Sequence, residues 1–329
     1  MAVAAELRRP GAHEVVIATR AAAVGPADLT EPVDRVIGGE FSGDVIEVGS
    51  DVDPDLLHAP VVVLGSQPCG RCDRCLDGLA TLCKESQTRG QTIDGGLAEA
   101  VLVRADEVLP LPDGLGHERA TLMHRLARAL RATRRSGARP GDATAVMGST
   151  PLGLATTAVV LAAGSGKTAL IDDHQRCRDA LTEAGALTLG APSDPAGWDT
   201  LRGDLGGYGP DVVFECAGTP QSRLAAIELA RPAGTVVMVA NDATPVTMDI
   251  NLLVMGDKQV RGSRGYTVAE ARTTLELMTR SRIDVSKLIG TTLEIGEFLA
   301  AAADGSLDTL LGGCQATVVR WHPDAAVMR

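Results

Sequence analysis

The sequence predicts a two-domain α/β chain, a β-rich first third followed by a parallel sheet wrapped by crossover helices. Three observations carry this: short β-like runs crowd the first hundred or so residues, strands and helices alternate from Thr144 onward, and four cysteines cluster between Cys69 and Cys83. With 329 residues and 45% hydrophobic content, the chain can build one large or two medium cores.

Taken in order, the β-like runs are Glu14–Val24, Gly43–Gly49, Pro60–Gly65 and Ala98–Val103, separated by Gly, Pro and Asp. Residues 118–137 (ERATLMHRLARALRATRRSG) pattern as one long helix. Strand 144–148, helix 151–164, strand 168–172, helix 174–185, strand 211–216, helix 220–230 and strand 234–240 follow. Alternation at this spacing is the signature of a parallel sheet, whose strands need long crossover connections. A helix at 269–280 and a strand ending near Trp321 close the sequence.

The formal net charge of -11 and a pI near 5.0 repel phosphate backbones and anionic membranes, which disfavours nucleic acid and lipid as partners. Aromatics make up 2%, and Phe41 is the sole Phe, Tyr or Trp before Trp198, so a cleft built from the first half has few flat apolar walls. The N-terminal stretch lacks the apolar core of a signal peptide, and Thr156–Gly164 is too short to span a bilayer. A cytoplasmic location is expected, and there the seven cysteines serve as metal ligands or buried thiols in preference to disulfides.

Cys69, Cys72, Cys75 and Cys83 are spaced to grip one ion from a tight turn, and four thiolates satisfy tetrahedral zinc. The intervening segment is polar and Gly-bearing, so it depends on the metal for its shape. Four thiolates close the coordination sphere, which makes this zinc architectural. Cys177, Cys216 and Cys314 read as small core residues.

This cysteine spacing, set between GEFSGDVIEVGSDV and GGLAEAVLV and followed by LPDGL and a late GSRGYT, resembles the zinc-containing medium-chain alcohol dehydrogenases over nearly the whole chain. The resemblance implies a Rossmann doubly wound sheet at 127–268. It also implies a GroES-like catalytic domain at 1–126 and 269–329, a ligand in the cleft between them, and a homodimer or homotetramer.

The family's phosphate-binding turn reads here as Gly148, Ser149, Thr150, Pro151, Leu152 and Gly153. Gly148 permits the tight turn and Gly153 close helix packing, and a pyrophosphate would sit at the helix N-terminus. Thr150 stands where the family has a middle glycine, so its side chain narrows the phosphate's approach or offers it a hydroxyl. Asp172, at the end of the next strand, can accept hydrogen bonds from the adenosine ribose. With Asp173 beside it and no Arg following, NAD(H) is expected over NADP(H); capping a helix is Asp172's alternative role. Gly164-Ser165-Gly166-Lys167-Thr168 imitates a P-loop, but Leu161 replaces the first glycine and the segment precedes its strand. Gly116-His117-Glu118 imitates the family's zinc-site tripeptide in the wrong place, and reads only as a helix start.

In zinc-dependent relatives a Cys precedes Gly-Thr-Asp, a His stands in Gly-His-Glu, and a third ligand begins a later helix. The matching positions here are Gly25, Gly39 and His124, and the hydroxyl of the usual proton relay is Ala27. One imidazole does not hold a catalytic zinc, so a metal-free site is expected. Around it the resemblance places Asp28, Glu40 and His124, with His124 as the acid–base candidate. Arg125 is a candidate for binding a substrate carboxylate or phosphate. The remaining arginines of this helix (Arg128, Arg131, Arg134, Arg135) read mostly as a solvated face.

Without a Lewis acid, hydride addition suits an activated acceptor: an iminium, an enone or another polarised double bond. The expected function is therefore an alcohol-dehydrogenase-like oxidoreductase with a structural zinc, no catalytic zinc and a small polar substrate whose class extends to anions through Arg125. A non-catalytic binding or regulatory protein, or a lyase or isomerase on the same fold, is the alternative.

Overall fold

The chain runs through β1 (Glu14–Val24), β2 (Glu40–Val48), β3 (Pro60–Val63), β4 (Ser66–Gln67), α1 (Asp73–Leu76), β5 (Gln87–Thr88), β6 (Ala100–Arg104) and β7 (Val108–Pro110). Helices α2 (His117–Ala120) and α3 (Met123–Ser136) lead into β8 (Ala143–Met147), α4 (Pro151–Ala162), β9 (Lys167–Ile171) and β10 (Leu187–Leu189). Next come α5 (Pro195–Asp204), β11 (Val212–Glu215), α6 (Pro220–Leu229), β12 (Thr235–Met238), α7 (Asn251–Val254) and β13 (Gln259–Gly262). The last elements are α8 (Val268–Thr279), β14 (Ile289–Glu294), α9 (Ile295–Asp304), α10 (Leu307–Leu311) and β15 (Ala316–Arg320). This computed structural model describes residues 7–25, 28–29, 35–172, 187–189, 195–241, 244–311 and 313–321. Ala27, Asp173, Cys177 and the helix expected over 174–185 lie outside the described residues.

Two compact units divide the chain: Met1–His124 with Ala271–Ser281 and Ile289–Arg329, and Arg125–Glu270 with Arg282–Leu288. In the first, β1 is the spine of a sheet ordered β14-β15-β1-β2-β3-β7. One edge of β1 pairs antiparallel with β2; the other is shared between β6, along Glu14–Ala18, and β15, along Ala21–Val24. The strand can serve three partners because its pairing with β2 shifts register twice, once between Val16 and Ile17 and once between Thr19 and Ala21. Its side chains are almost all buried, and Val15, Ile17, Phe41, Val45, Val61, Val63, Leu97 and Phe298 belong to one core.

The second unit is a six-stranded parallel sheet ordered β10-β9-β8-β11-β12-β13. From β8 the chain winds outward to β9 and β10, then returns to β11 and winds the other way. The order therefore reverses between β8 and β11, the place where doubly wound sheets bind ligands. Ala145, Ala169, Val213 and Val236 pack with Leu201, Ile227 and Leu229 in a separate core. The P-loop imitation connects α4 to β9, with Gly166 N–H donating to the Asp142 carbonyl, at the end of the sheet away from that reversal.

Two expectations from patterning are corrected here. The long helix breaks at Thr121–Leu122, where the Thr121 hydroxyl donates to the Glu118 carbonyl and ends α2. The arginine face of α3 is not mainly solvated: Arg125 is buried, and Arg128 and Arg131 are half-buried. Arg131 pairs with Glu270 at 3.2 Å, Arg128 donates to the Val239 carbonyl, and the exposed Arg135 donates to Gly262. A spacing of three turns slowly enough around a helix to carry such a row past packed neighbours.

One buried ion pair braces the first unit. Arg89 and Glu107 are each about 95% buried, and both Nε and Nη2 of Arg89 donate to Glu107 Oε2. Burial pushes the Glu107 carboxyl above its ordinary pKa, with Arg89 pulling the other way. Because a lone buried charge is costlier than a pair, Arg89→Met is expected to cost about 3–5 kcal/mol in chemical denaturation. Arg89→Met combined with Glu107→Leu should recover most of that loss; a double variant as unstable as the single one would contradict the assignment.

Candidate functional site

Cys69, Cys72, Cys75 and Cys83 bring their sulfurs within 4.8 Å of one another. Individual Sγ–Sγ separations are 3.6 Å for Cys72–Cys75 and Cys69–Cys83, 3.8 Å for Cys72–Cys83 and 4.0 Å for Cys69–Cys75. A zinc–sulfur bond of about 2.3 Å gives a tetrahedral edge of about 3.8 Å, so the four donors fit one ion. The lobe has little else to hold it, since Leu76, Leu79 and Leu82 are exposed. Backbone N–H groups of Arg71 and Cys72 lower the Cys69 thiol to about 7, which favours the thiolate a metal needs. Desolvation raises Cys75 to about 12 in the same cluster, where a cation would reverse the balance.

The Gly148–Gly153 turn links β8 to α4 at the strand-order reversal. Gly148 adopts φ +93°, and a Cβ there would lie 2.6 Å from Ala217 Cβ; one on Gly153 would lie 1.9 Å from the Gly148 carbonyl oxygen. Both glycines are therefore steric requirements of the turn. Asp172 accepts the Ser149 N–H at 2.8 Å, tying the end of β9 to the turn. Thr150 is the N-cap of α4: its hydroxyl accepts the Gly153 N–H at 3.1 Å and donates to the Cys216 carbonyl at 3.0 Å. Pro151 and Leu152 occupy the first two helical positions.

In the first unit the residues expected around a vacated metal position meet a neighbour that patterning did not foresee. A Cβ on Gly39 would stand 2.6 Å from the Arg89 carbonyl oxygen. Arg89 N–H donates to the Gly65 carbonyl, and a Cβ on Gly65 would stand 3.0 Å from His124 Nδ1 and 3.4 Å from the Gly39 oxygen. Gly39, Gly65, Arg89 and His124 thus converge, with His124 buried. Asp28 accepts the Gly25 N–H at 2.9 Å. Glu40 begins β2 directly after Gly39 and is half-buried. Arg125 is the buried residue at which the second unit begins.

His117 carries more than the helix start expected of it. Its Nδ1 lies 2.8 Å from Ser42 Oγ and its Nε2 3.3 Å from Asp44 Oδ1, while Arg20 Nε donates to Asp44 Oδ2 at 2.7 Å. Ser42 Oγ also lies 2.7 Å from the Val61 carbonyl. A cavity of about 460 Å³ opens beside this chain, lined by Arg20, His117, Arg119, Arg320 and Trp321. No local sequence signal marks the cluster, because Ser42 and His117 are 75 residues apart. Desolvation lowers the His117 pKa below its ordinary value near 6.5, against the pull of Asp44. The folded protein then binds fewer protons than the unfolded one within that window, so stability is full above about pH 6.5 and falls as pH drops toward the lowered value. The Tm of His117→Gln should fall less than wild type between about pH 7 and pH 5; parallel curves would contradict this.

Comparison with known proteins bears on both units. Residues 11–113 match the family model described as alcohol dehydrogenase GroES-like domain, and residues 151–280 match that of zinc-binding dehydrogenase. A Rhizobium meliloti (strain 1021) protein named for D-xylulose reductase activity is 31% identical over 294 residues, covering 84% of this chain and 80% of the relative. A Sinorhizobium meliloti 1021 protein named for zinc-binding dehydrogenase activity, solved with NADP, superposes with a TM-score of 0.83 at 25% identity, over 95% of this chain and 93% of the other. An Escherichia coli CFT073 alcohol dehydrogenase solved with NADH gives 0.87 at 22% identity, over 96% and 94%. Among the described residues, no helix is long and apolar enough to cross a membrane.

Proposed function

The chain belongs to the zinc-type medium-chain dehydrogenase/reductase superfamily, and from that premise we propose a hydride transfer that runs without a catalytic metal. As a member it is an NAD(P)-dependent oxidoreductase of the alcohol dehydrogenase type. The observation that carries the metal-free reading is Gly39: it offers no ligand atom, and the Arg89 carbonyl stands where its side chain would begin. With Gly25 equally bare, His124 is the one imidazole left in the family's ligand set. Reduction of an activated C=C, C=N or C=O bond in a small polar compound then matches what the residues can supply.

In this reading the Gly148 turn binds the dinucleotide and His124 supplies the proton. His124 moves it through Nε2, the nitrogen not turned toward Gly65, while Asp28 and Glu40 set the charge of the surroundings. Arg125 pairs with a carboxylate or phosphate on the substrate. Asp172, fixed beside the turn, receives the ribose hydroxyls and repels a 2′-phosphate, which favours NAD(H) over NADP(H). Zinc in the four-cysteine lobe is structural. The cytoplasm supplies both the dinucleotide and the reducing conditions that keep those thiols available.

A second copy of the chain is the natural partner of the second unit. Its β13 edge lacks a strand neighbour on one side among the described residues, and Ile250, Val254, Met255 and Val260 are exposed near it, Met255 at 86%. This supports the homodimer or homotetramer reading. One observation favours the alternative of a binding or non-redox protein: Thr150 consumes a helix N–H that a phosphate would use.

Fluorescence titration of the purified protein with NADH and NADPH tests the reading. NADH should bind roughly tenfold or more tightly than NADPH, and Asp172→Ser should narrow the gap. With an accepted substrate, His124→Ala should lower kcat by about 10²–10⁴-fold while leaving NADH affinity near wild type. Absence of binding to either dinucleotide at millimolar concentration would sink the redox proposal.

A further inference from the structure

We infer that Thr150 plugs the dinucleotide-binding helix with its own hydroxyl, making the cofactor a loosely held, readily exchanged co-substrate. The inference rests on the reading of the Gly148 turn as the dinucleotide site, and goes beyond it by assigning Thr150 control of affinity.

A phosphate at a helix N-terminus is held by the N–H groups of the first turn, which have no partner within the helix. Here much of that supply is committed before any ligand arrives. Pro151, at the first position, has no N–H to give. Gly153, at the third, donates to Thr150 Oγ1 at 3.1 Å. Ser149, just outside the helix, donates to Asp172 Oδ2 at 2.8 Å. The Thr150 and Leu152 N–H groups are left without an intramolecular acceptor among the described residues.

The Thr150 hydroxyl is also fully occupied. It has one proton, and that proton goes to the Cys216 carbonyl at 3.0 Å. For the hydroxyl to donate to a phosphate it must abandon Cys216; for the phosphate to reach the Gly153 N–H, the hydroxyl must swing out of the way. Either move leaves a polar group of the protein unpaired, a cost the ligand must offset. A glycine at this position offers neither obstacle. The same cap that weakens binding stabilises the empty helix, so affinity and apo stability respond to Thr150 in opposite senses.

Three variants decide the matter, with NADH titration and apo Tm measured side by side. Thr150→Ala and Thr150→Gly should each bind NADH at least tenfold more tightly than wild type, whereas Thr150→Ser, which keeps the hydroxyl, should bind as wild type does. Thr150→Ala should also lower the apo Tm by about 2–4 °C, while Thr150→Ser holds it. If Ala and Gly bind no more tightly than a wild-type protein that itself binds NADH, the inference falls and the cofactor reading stands. If Ser tightens binding as much as Ala, bulk and not the cap is responsible, which also overturns it. If the wild-type protein binds neither NADH nor NADPH at millimolar concentration, the dinucleotide reading itself falls and takes the inference with it.

Discussion

A seam between residues 36–38 and 94–97 sets the terms for the rest of the first unit. Gly95 N–H donates to the Val36 carbonyl, Leu97 to Ile37 and Gly96 to Gly38, while Asp94 accepts the Val36 N–H. Two chains that close leave no room for side chains where they touch. A Cβ on Gly95 would stand 2.4 Å from the Ile37 oxygen, and Gly90 lies against the N–H groups of Gly38 and Gly39. The seam carries Arg89 inward, where its guanidinium is locked to Glu107 and its carbonyl covers Gly39. Backbone packed against Gly39 leaves no void there, which would forfeit contacts on every wall. The packing of this loop against Gly39 is what supports the proposed metal-free reading.

The second unit answers a similar problem with side chains. A strand-to-helix turn at the order reversal must satisfy the donors at the start of α4 whether or not a ligand is present. Thr150 and Asp172 satisfy two of them from within the protein, one for Gly153 and the other for Ser149. The turn is thereby stable when empty, and a dinucleotide meets a site where two donors are already engaged. The loop at Arg89 and the cap at Thr150 lie in different units.

How much of this was legible in the sequence follows from how local each interaction is. The cysteine cluster was, because two-residue spacing fixes where thiolates can meet. The strand–helix alternation was, because periodicity reports burial directly. The break at Thr121 was not: a hydroxyl bonded three residues back competes with a pattern that otherwise continues. The half-buried arginines of α3 were misread because Glu270 and the Val239 and Gly262 carbonyls, their partners, are more than a hundred residues away. Nothing near Gly25 and Gly39 in the sequence points to Arg89, whose carbonyl packs against Gly39. His117 carries no local signal because its partners Ser42 and Asp44 lie on β2, far upstream.

The central claim is that this chain keeps an architectural zinc and has closed the position of a catalytic one. Metal analysis of the purified protein by inductively coupled plasma mass spectrometry, after zinc loading and exhaustive dialysis, tests it most directly. The expected result is one zinc ion per chain, lost when Cys72 and Cys83 are replaced by Ser. Two tightly held zinc ions per chain, one of them surviving that replacement, would contradict the account.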